Sequence, residues 1–301
     1  MEDITMSNVL NWLLEDENPA IKYRTLTEII DKDPEDYQCC YHKIWEHKQI
    51  KKLLKQQDED GLWHTNSKYI GHILNLNNLT AFAEYGLKKD ERLDRYVEYA
   101  LKHLHEWQTN NLDVSQCYTP IVLRDLIMFG YHNRGDVLYL IYEFMKSQIH
   151  DGGFMCKRML DKKPTRKSCY KAAVSGLLLY AECKRHNIPL INADNLVNYF
   201  LKRDVFYSTD KTHIFIDMHG VPKGVGPMKI GIPLLLSALS ILGAGNAPEL
   251  LNPWHMMNER KGENGRYRAE GAAAQPGIFG KDGQENKWST FYALLAEKYR
   301  G

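Results

Sequence analysis

Two histidines and an aspartate lie close together in His213 to Pro227, which reads HIFIDMHGVPKGVGP. Imidazoles titrate near neutrality, an aspartate can orient one or carry a proton itself, and the glycines allow close backbone approach to a ligand. Asp217 and His219 are therefore the candidate acid–base residues. The same Gly and Pro content is what a plain connecting loop would carry. Cys117, Cys156 and Cys169, with His213 or His219, are the thiols and imidazoles that zinc prefers. None of these cysteines has C-x2-C spacing, and cysteine is among the most often buried residue types, so packing is the expected role ahead of zinc. No other cofactor is indicated, and no G-x-S-x-G, P-loop or dinucleotide fingerprint is present. Cys39-Cys40 is adjacent on a predicted helix and is read as structural.

The elements that position these residues come from an internal repeat. QQDEDGLW, ending at Trp63, aligns with SQIHDGGF, ending at Phe154, pairing Gln57 with Gln148, Asp60 with Asp151 and Gly61 with Gly152. Asn264-Gly265-Arg266-Tyr267 keeps the turn and the aromatic. Asp-Gly supplies a turn residue that bonds its own backbone, then one that accepts positive φ, and the aromatic can fold back on the preceding helix. The two aspartates are thus expected as turn and cap residues.

Apolar segments ending at Gly86, Gly130 and Gly243 read as helices closed by a C-terminal glycine. Those before the glycines, such as PLLLSALSIL from Pro233, are apolar nearly all round and read as buried inner helices. They begin near Ala20, Tyr69, Tyr118, Cys169, Ile232 and Trp288, at intervals of 49, 49, 51, 63 and 56 residues. One-sided outer helices follow Asp33, Lys89, Arg134, Pro189 and Ala247. After Gly86, for example, Leu93, Tyr96, Val97, Ala100, Leu101, Leu104 and Trp107 make a single stripe. The missing sixth outer helix is Asp3 to Leu14.

The expected fold is all-α: one domain over residues 1–301, an (α/α)6 toroid closed by the N-terminal helix. The starts of its inner helices converge on one end of a central cavity. Tyr69, His72, Cys117, Tyr118, Cys169, Tyr170, Met228, Lys229, Lys287 and Trp288 are then the expected lining, a mixture of aromatic and polar groups usual for a small-molecule site. Cys156 to Lys167 and Glu259 to Lys287 are long enough to serve as lids.

Of the 301 residues, 44% are hydrophobic, and 39 Lys+Arg face 38 Asp+Glu for a net charge of +1, which argues against a disordered or polyanion-binding chain. A small-molecule ligand is expected, and no nucleic acid. Ile230 to Ala244 is too short and interrupted to span a bilayer. Six cysteines are too few for a disulfide framework, and no early basic segment precedes an apolar stretch, so the expected compartment is the cytoplasm.

These motifs resemble the Q-x2-D-G-x-[WF] repeats of the squalene cyclase and protein prenyltransferase β-subunit superfamily. CYTPIVLRDLIMFGY followed by SQIHDGGFMC, with NPAIKYRTLTEII and NKWSTFYALL, is similar to stand-alone bacterial prenyltransferase or squalene-oxidase repeat proteins. The resemblance implies an α/α toroid around a cavity for a partly apolar ligand. Its catalytic motifs do not carry over. No Asp-x-Asp-Asp acid exists in the chain, and beside Cys117-Tyr118 and Cys169-Tyr170 the zinc-binding Asp and His positions hold Ser115 and Lys167. A terpenoid-type reaction would rely on Asp217 or His219 as proton donor. A carbohydrate-active (α/α)6 hydrolase or lyase and a non-catalytic binding or scaffold protein are the alternatives. Deleting Asp3 to Leu14 should uncover the last inner helix and lower the melting temperature by several degrees; a thermal melt of the truncated chain checks this.

Overall fold

A computed structural model describes residues 2–66, 68–110, 117–155, 168–212, 231–269 and 279–301 of the chain. Proline and asparagine start its helices and left-handed residues end them. Pro19, Pro120 and Pro233 occupy first-turn positions, where a missing N–H costs nothing, and Asn18 and Asn286 cap helices by accepting the Ile21 and Ser289 amides. At the other end Gly86, Gly130 and Gly243 have φ of 81°, 96° and 89°. Leu87, Tyr131 and Ala244 each donate back to a carbonyl five residues earlier, the hydrogen bond of a Schellman motif. Asn187, at φ 55°, closes a fourth helix in the same way, with Ile188 donating to Cys183.

The elements are α1 (Glu2–Leu13), α2 (Pro19–Arg24) running into a π-helical turn (Thr25–Ile29), α3 (Pro34–Glu46), α4 (Lys48–Lys55), α5 (Lys68–Glu84), α6 (Glu91–Asn110) and α7 (Thr119–Met128). They continue as α8 (Gly135–Lys146), α9 (Tyr170–Arg185), α10 (Ala193–Leu201), α11 (Ile232–Ile241), α12 (Leu251–Asn258) after a short 3-10 turn, and α13 (Lys287–Tyr299). The fold is all-α among the described residues, whose only extended pairing is two isolated bridges, Lys261 with Tyr267 and Arg268 with Glu285. None of these helices is long and apolar enough to cross a membrane.

The helices expected to be buried all round are so. Val122 to Met128 of α7, Ala172 to Cys183 of α9 and Leu234 to Ser240 of α11 are buried without a break. The expected outer helices bury one stripe, as α8 does with Val137, Leu140, Ile141, Phe144 and Met145. In space α5 packs on α7, α7 on α9, α9 on α11, α11 on α13 and α13 on α2, while α3, α8, α10 and α12 lie against α2, α7, α9 and α11. Arg24 of α2 reaches Glu84 at the end of α5. Val9 and Leu13 tie α1 into the hydrophobic core.

One expected outer helix is two. The segment after Asp33 breaks at His47, whose backbone is extended (ψ 134°) and whose ring packs 5.4 Å from Tyr85. Side-chain packing overrides helix continuation there.

The repeat motifs act as staples. Asp60 and Asp151 accept the Leu62 and Gly153 amides two residues on, and Gly61 and Gly152 take φ of 79° and 89°. Trp63 returns to α4 by donating Nε1–H to Leu53, and Phe154 stacks on Phe144 of α8 at 4.3 Å. The first staple is fastened forward as well, because Asn75 of α5 bonds both the amide and the carbonyl of Trp63. Of the long connection Glu259 to Lys287, the described parts are tied together: Asn286 donates to Tyr267 and Ala269 to Gln284.

Two glycines in the left-handed region give a measurable contrast. A Cβ at Gly152 would lie 2.2 Å from the Asn195 carbonyl oxygen, whereas one at Gly130 meets nothing within 4 Å. Gly130→Ala should cost about 1 kcal/mol from backbone strain alone, and Gly152→Ala more than about 2 kcal/mol because backbone must also move. Urea unfolding of both variants checks the difference; equal losses would contradict it.

Candidate functional site

The sequence-derived residues fall into three sets. Asp217, His219, His213, Met228, Lys229 and Cys156 lie outside the described residues. Tyr69 and His72 fall in the first turns of α5, where only the backbone is described. The rest can be placed by their side chains.

Cys117 and Cys169 come together. Each precedes a buried helix, α7 and α9 respectively, and their sulfurs are 3.8 Å apart, with Cys117 only 4% exposed and Cys169 more open. Tyr118, the residue before α7, is half-buried beside them in sequence. The other three turn elsewhere. Tyr170 donates its hydroxyl to the Val205 carbonyl at 2.7 Å and sets its ring edge-on to Phe200. Lys287 points to α1, donating to Glu15 at 2.9 Å and lying over the Trp12 ring. Trp288 is packed between Tyr85 and Phe279. Among the described residues no group of three or more His, Cys, Asp or Glu side chains is arranged to hold a metal ion.

The densest chemistry lies away from these helix starts, among residues at the ends of α2, α5 and α9 and in the middle of α7 and α13. Glu84, ending α5, is gripped by two guanidiniums: Arg24 of α2 at 2.8 Å and Arg124 of α7 at 2.7 Å. Tyr292 of α13 accepts from Arg24 at 3.0 Å and donates to Glu84. Arg24 also grips both oxygens of Glu28, at 2.5 and 3.1 Å, because the π-helical turn follows directly on α2. Glu28 in turn meets Arg185 of α9 at 2.9 Å, and Arg185 lies 3.4 Å from Glu182. Glu182 also holds His186 at 3.2 Å.

Charges buried this deeply persist only when paired. Arg24, Arg124 and Arg185 balance Glu28, Glu84 and Glu182. Burial alone would raise the Glu84 carboxyl, but the Arg124 and Arg24 guanidiniums outweigh it and hold it below its usual range. Against the same penalty, Arg185 and Arg24 hold Glu28 down at about 2. Arg185 and the hydrogen bond from His186 keep Glu182 well below its ordinary value.

Asp125 of α7 is the acid this balance leaves over. It is fully buried, accepts the Thr80 hydroxyl at 2.6 Å on Oδ2, and has no hydrogen-bond partner on Oδ1. Burial pushes its carboxyl up to about 8, with Arg124 and Thr80 only partly opposing. At that value the carboxyl is mostly protonated at neutral pH.

These residues were legible as anomalies. Charged residues inside apolar runs, as in TPIVLRDLIM and LTAFAE, must find buried partners, and that signal points to Arg124, Asp125 and Glu84. It does not say which partner each one takes.

In comparisons with known proteins, no family model matches the chain, and no curated protein and no solved structure matches it significantly.

The raised and lowered carboxyls act on stability in opposite directions. Asp125 binds its proton more tightly folded, at about 8, than at its ordinary 3.8, so its contribution is complete below pH 4 and is lost as pH rises towards 8. Glu28 contributes fully above its ordinary 4.5 and is lost as pH falls towards 2. Asp125→Asn keeps an acceptor for Thr80 and removes the proton. Wild type should lose about 4 kcal/mol between pH 5 and pH 8.5, and Asp125→Asn much less. Urea midpoints at the two pH values decide; identical slopes would contradict the assignment.

Proposed function

We propose that the chain is an (α/α)6 toroid of the squalene cyclase and prenyltransferase β-subunit type whose interior binds a small, partly apolar ligand. In this reading α2, α5, α7, α9, α11 and α13 are the inner helices, and α3, α6, α8, α10 and α12 the outer ones. α1 takes the sixth outer place. The succession of pairwise contacts from α5 through α13 to α2, with the Arg24–Glu84 bond between α2 and α5, supports the ring. The ion network would close its C-terminal end, so the ligand would enter beside Cys117 and Cys169.

The observation that carries ligand binding is where the buried polar side chains sit. Apart from Arg203 and Asn286, they lie on α2 with its π turn, α5, α7, α9, α11 and α13. Several have an atom without a hydrogen bond, including Thr25 Oγ1, Asp125 Oδ1, Ser240 Oγ and Ser289 Oγ. Orphaned buried polar atoms are costly, and a ligand with one polar end and an apolar body would recover part of that cost. Asp217 and His219 keep their place as candidate acid and base. Asp125 joins them as the described carboxyl that holds a proton at neutral pH.

A second reading, a carbohydrate-active (α/α)6 protein, is favoured by a groove of about 450 Å³ between α1 and the Glu263 to Arg266 turn. Trp12, Asn8, Asn11, Asn264 and Arg266 line it with Glu15 and Glu263, an indole among amides, a guanidinium and two carboxylates. Native mass spectrometry of the chain purified without chelator, followed by thermal shifts with isoprenoid, fatty-acyl and oligosaccharide probes, separates the readings. A retained isoprenoid or lipid, or a shift of several degrees with such probes, is expected. A shift with oligosaccharides alone would favour the second reading, and an empty chain that responds to no probe would contradict both.

A further inference from the structure

Cys117 and Cys169 belong to neighbouring helices yet place their sulfurs 3.8 Å apart. We infer that this pair is a redox modification site, closing a reversible Cys117–Cys169 disulfide that pins the start of α7 to the start of α9. The inference is independent of the ligand reading.

Three features carry it. Both residues lie just outside the helices they precede, Cys169 as the residue capping α9 in extended backbone (ψ 118°), so the sulfurs can approach to the roughly 2.05 Å of a disulfide by side-chain rotation and loop adjustment. The helices they precede pack against each other, so the bond would join surfaces already in contact. Exposure is graded: Cys169 is partly open to solvent, and Cys117 is shielded beside it. That is the arrangement of an attacking thiol and a resolving thiol.

The other cysteines show why this pair is singled out. Cys39 and Cys40 also have sulfurs 3.8 Å apart, but they are consecutive residues inside α3. Their Cα atoms are separated by about 3.8 Å, short of the roughly 4.4 Å minimum usual for a disulfide, so bridging them would unwind the helix. Cys183 is fully buried in α9.

With hydrogen peroxide as oxidant, the Cys169 thiolate attacks one peroxide oxygen. The O–O bond breaks, giving a sulfenic acid and a hydroxide that takes up the proton the Cys169 thiol released. The Cys117 thiolate then attacks that sulfur, the S–O bond breaks, and the departing hydroxide takes up the Cys117 proton as a second water. Two thiols and one peroxide become one disulfide and two waters, and dithiothreitol restores the thiols as it is itself oxidised.

Peptide mapping of the 301-residue chain after graded peroxide treatment tests this. The expected product is a Cys117–Cys169 linked peptide with the loss of two hydrogens, reversed by dithiothreitol, in a chain melting a few degrees higher than its reduced form. Cys117→Ser and Cys169→Ser should each abolish the link, and the wild-type map stands even where a variant folds poorly. Overoxidised Cys169 without a link, a link to Cys156 instead, or unmodified thiols at peroxide levels that oxidise exposed Cys39 would each overturn the inference.

Discussion

Glu84 stands between two arginines that arrive from opposite directions in the sequence, Arg24 and Arg124, and shares Tyr292 with the first. A carboxylate buried this completely would be untenable alone, and Arg124 would be untenable without it, while Arg24 divides itself between Glu84 and Glu28. The pairing therefore constrains where α2, α5, α7 and α13 can sit. Through Glu28 and Arg185 the constraint extends to α9. Apolar packing among these helices is non-directional and would tolerate sliding and rotation. Ion pairs with hydrogen-bond geometry do not tolerate either, so the network selects one register from many that would bury similar apolar area.

Local devices make that register reachable. Left-handed residues at Gly86, Gly130, Asn187 and Gly243 stop the buried helices α5, α7, α9 and α11 at fixed points, and the Asp-Gly turns at Gly61 and Gly152 bring the chain back with an aromatic folded onto the helix just completed. Each device acts over a few residues. The network acts between residues as far apart as Arg24 and Tyr292.

Much of this was readable from the sequence because periodicity and turn chemistry are local. The inner-helix starts near Ala20, Tyr69, Tyr118, Cys169, Ile232 and Trp288 fall within one residue of the observed helices, and the Asp-Gly turns take the expected backbone. The break at His47 escaped, since it depends on a contact with Tyr85 that no local pattern encodes. The left-handed Asn187 escaped because asparagine does the work done elsewhere by glycine. The site was least legible. Attention to helix starts found Cys117 and Cys169 but placed Tyr170, Lys287 and Trp288 with them, and each turns to a different neighbour. Pairing among Arg24, Glu84, Arg124 and Glu28 is a three-dimensional property, and a lone sequence shows only that such charges must be satisfied somewhere.

The most direct test of this account is the equilibrium unfolding of Glu84→Gln in urea, followed by fluorescence and far-ultraviolet ellipticity together. Removing that one charge leaves buried Arg124 without a counter-ion and Arg24 with Glu28 alone, so the account predicts a loss of about 3–5 kcal/mol with both probes changing in one transition. A loss below about 1 kcal/mol, in the range of an exposed ion pair, would show that the helices hold their arrangement without the network and would contradict it.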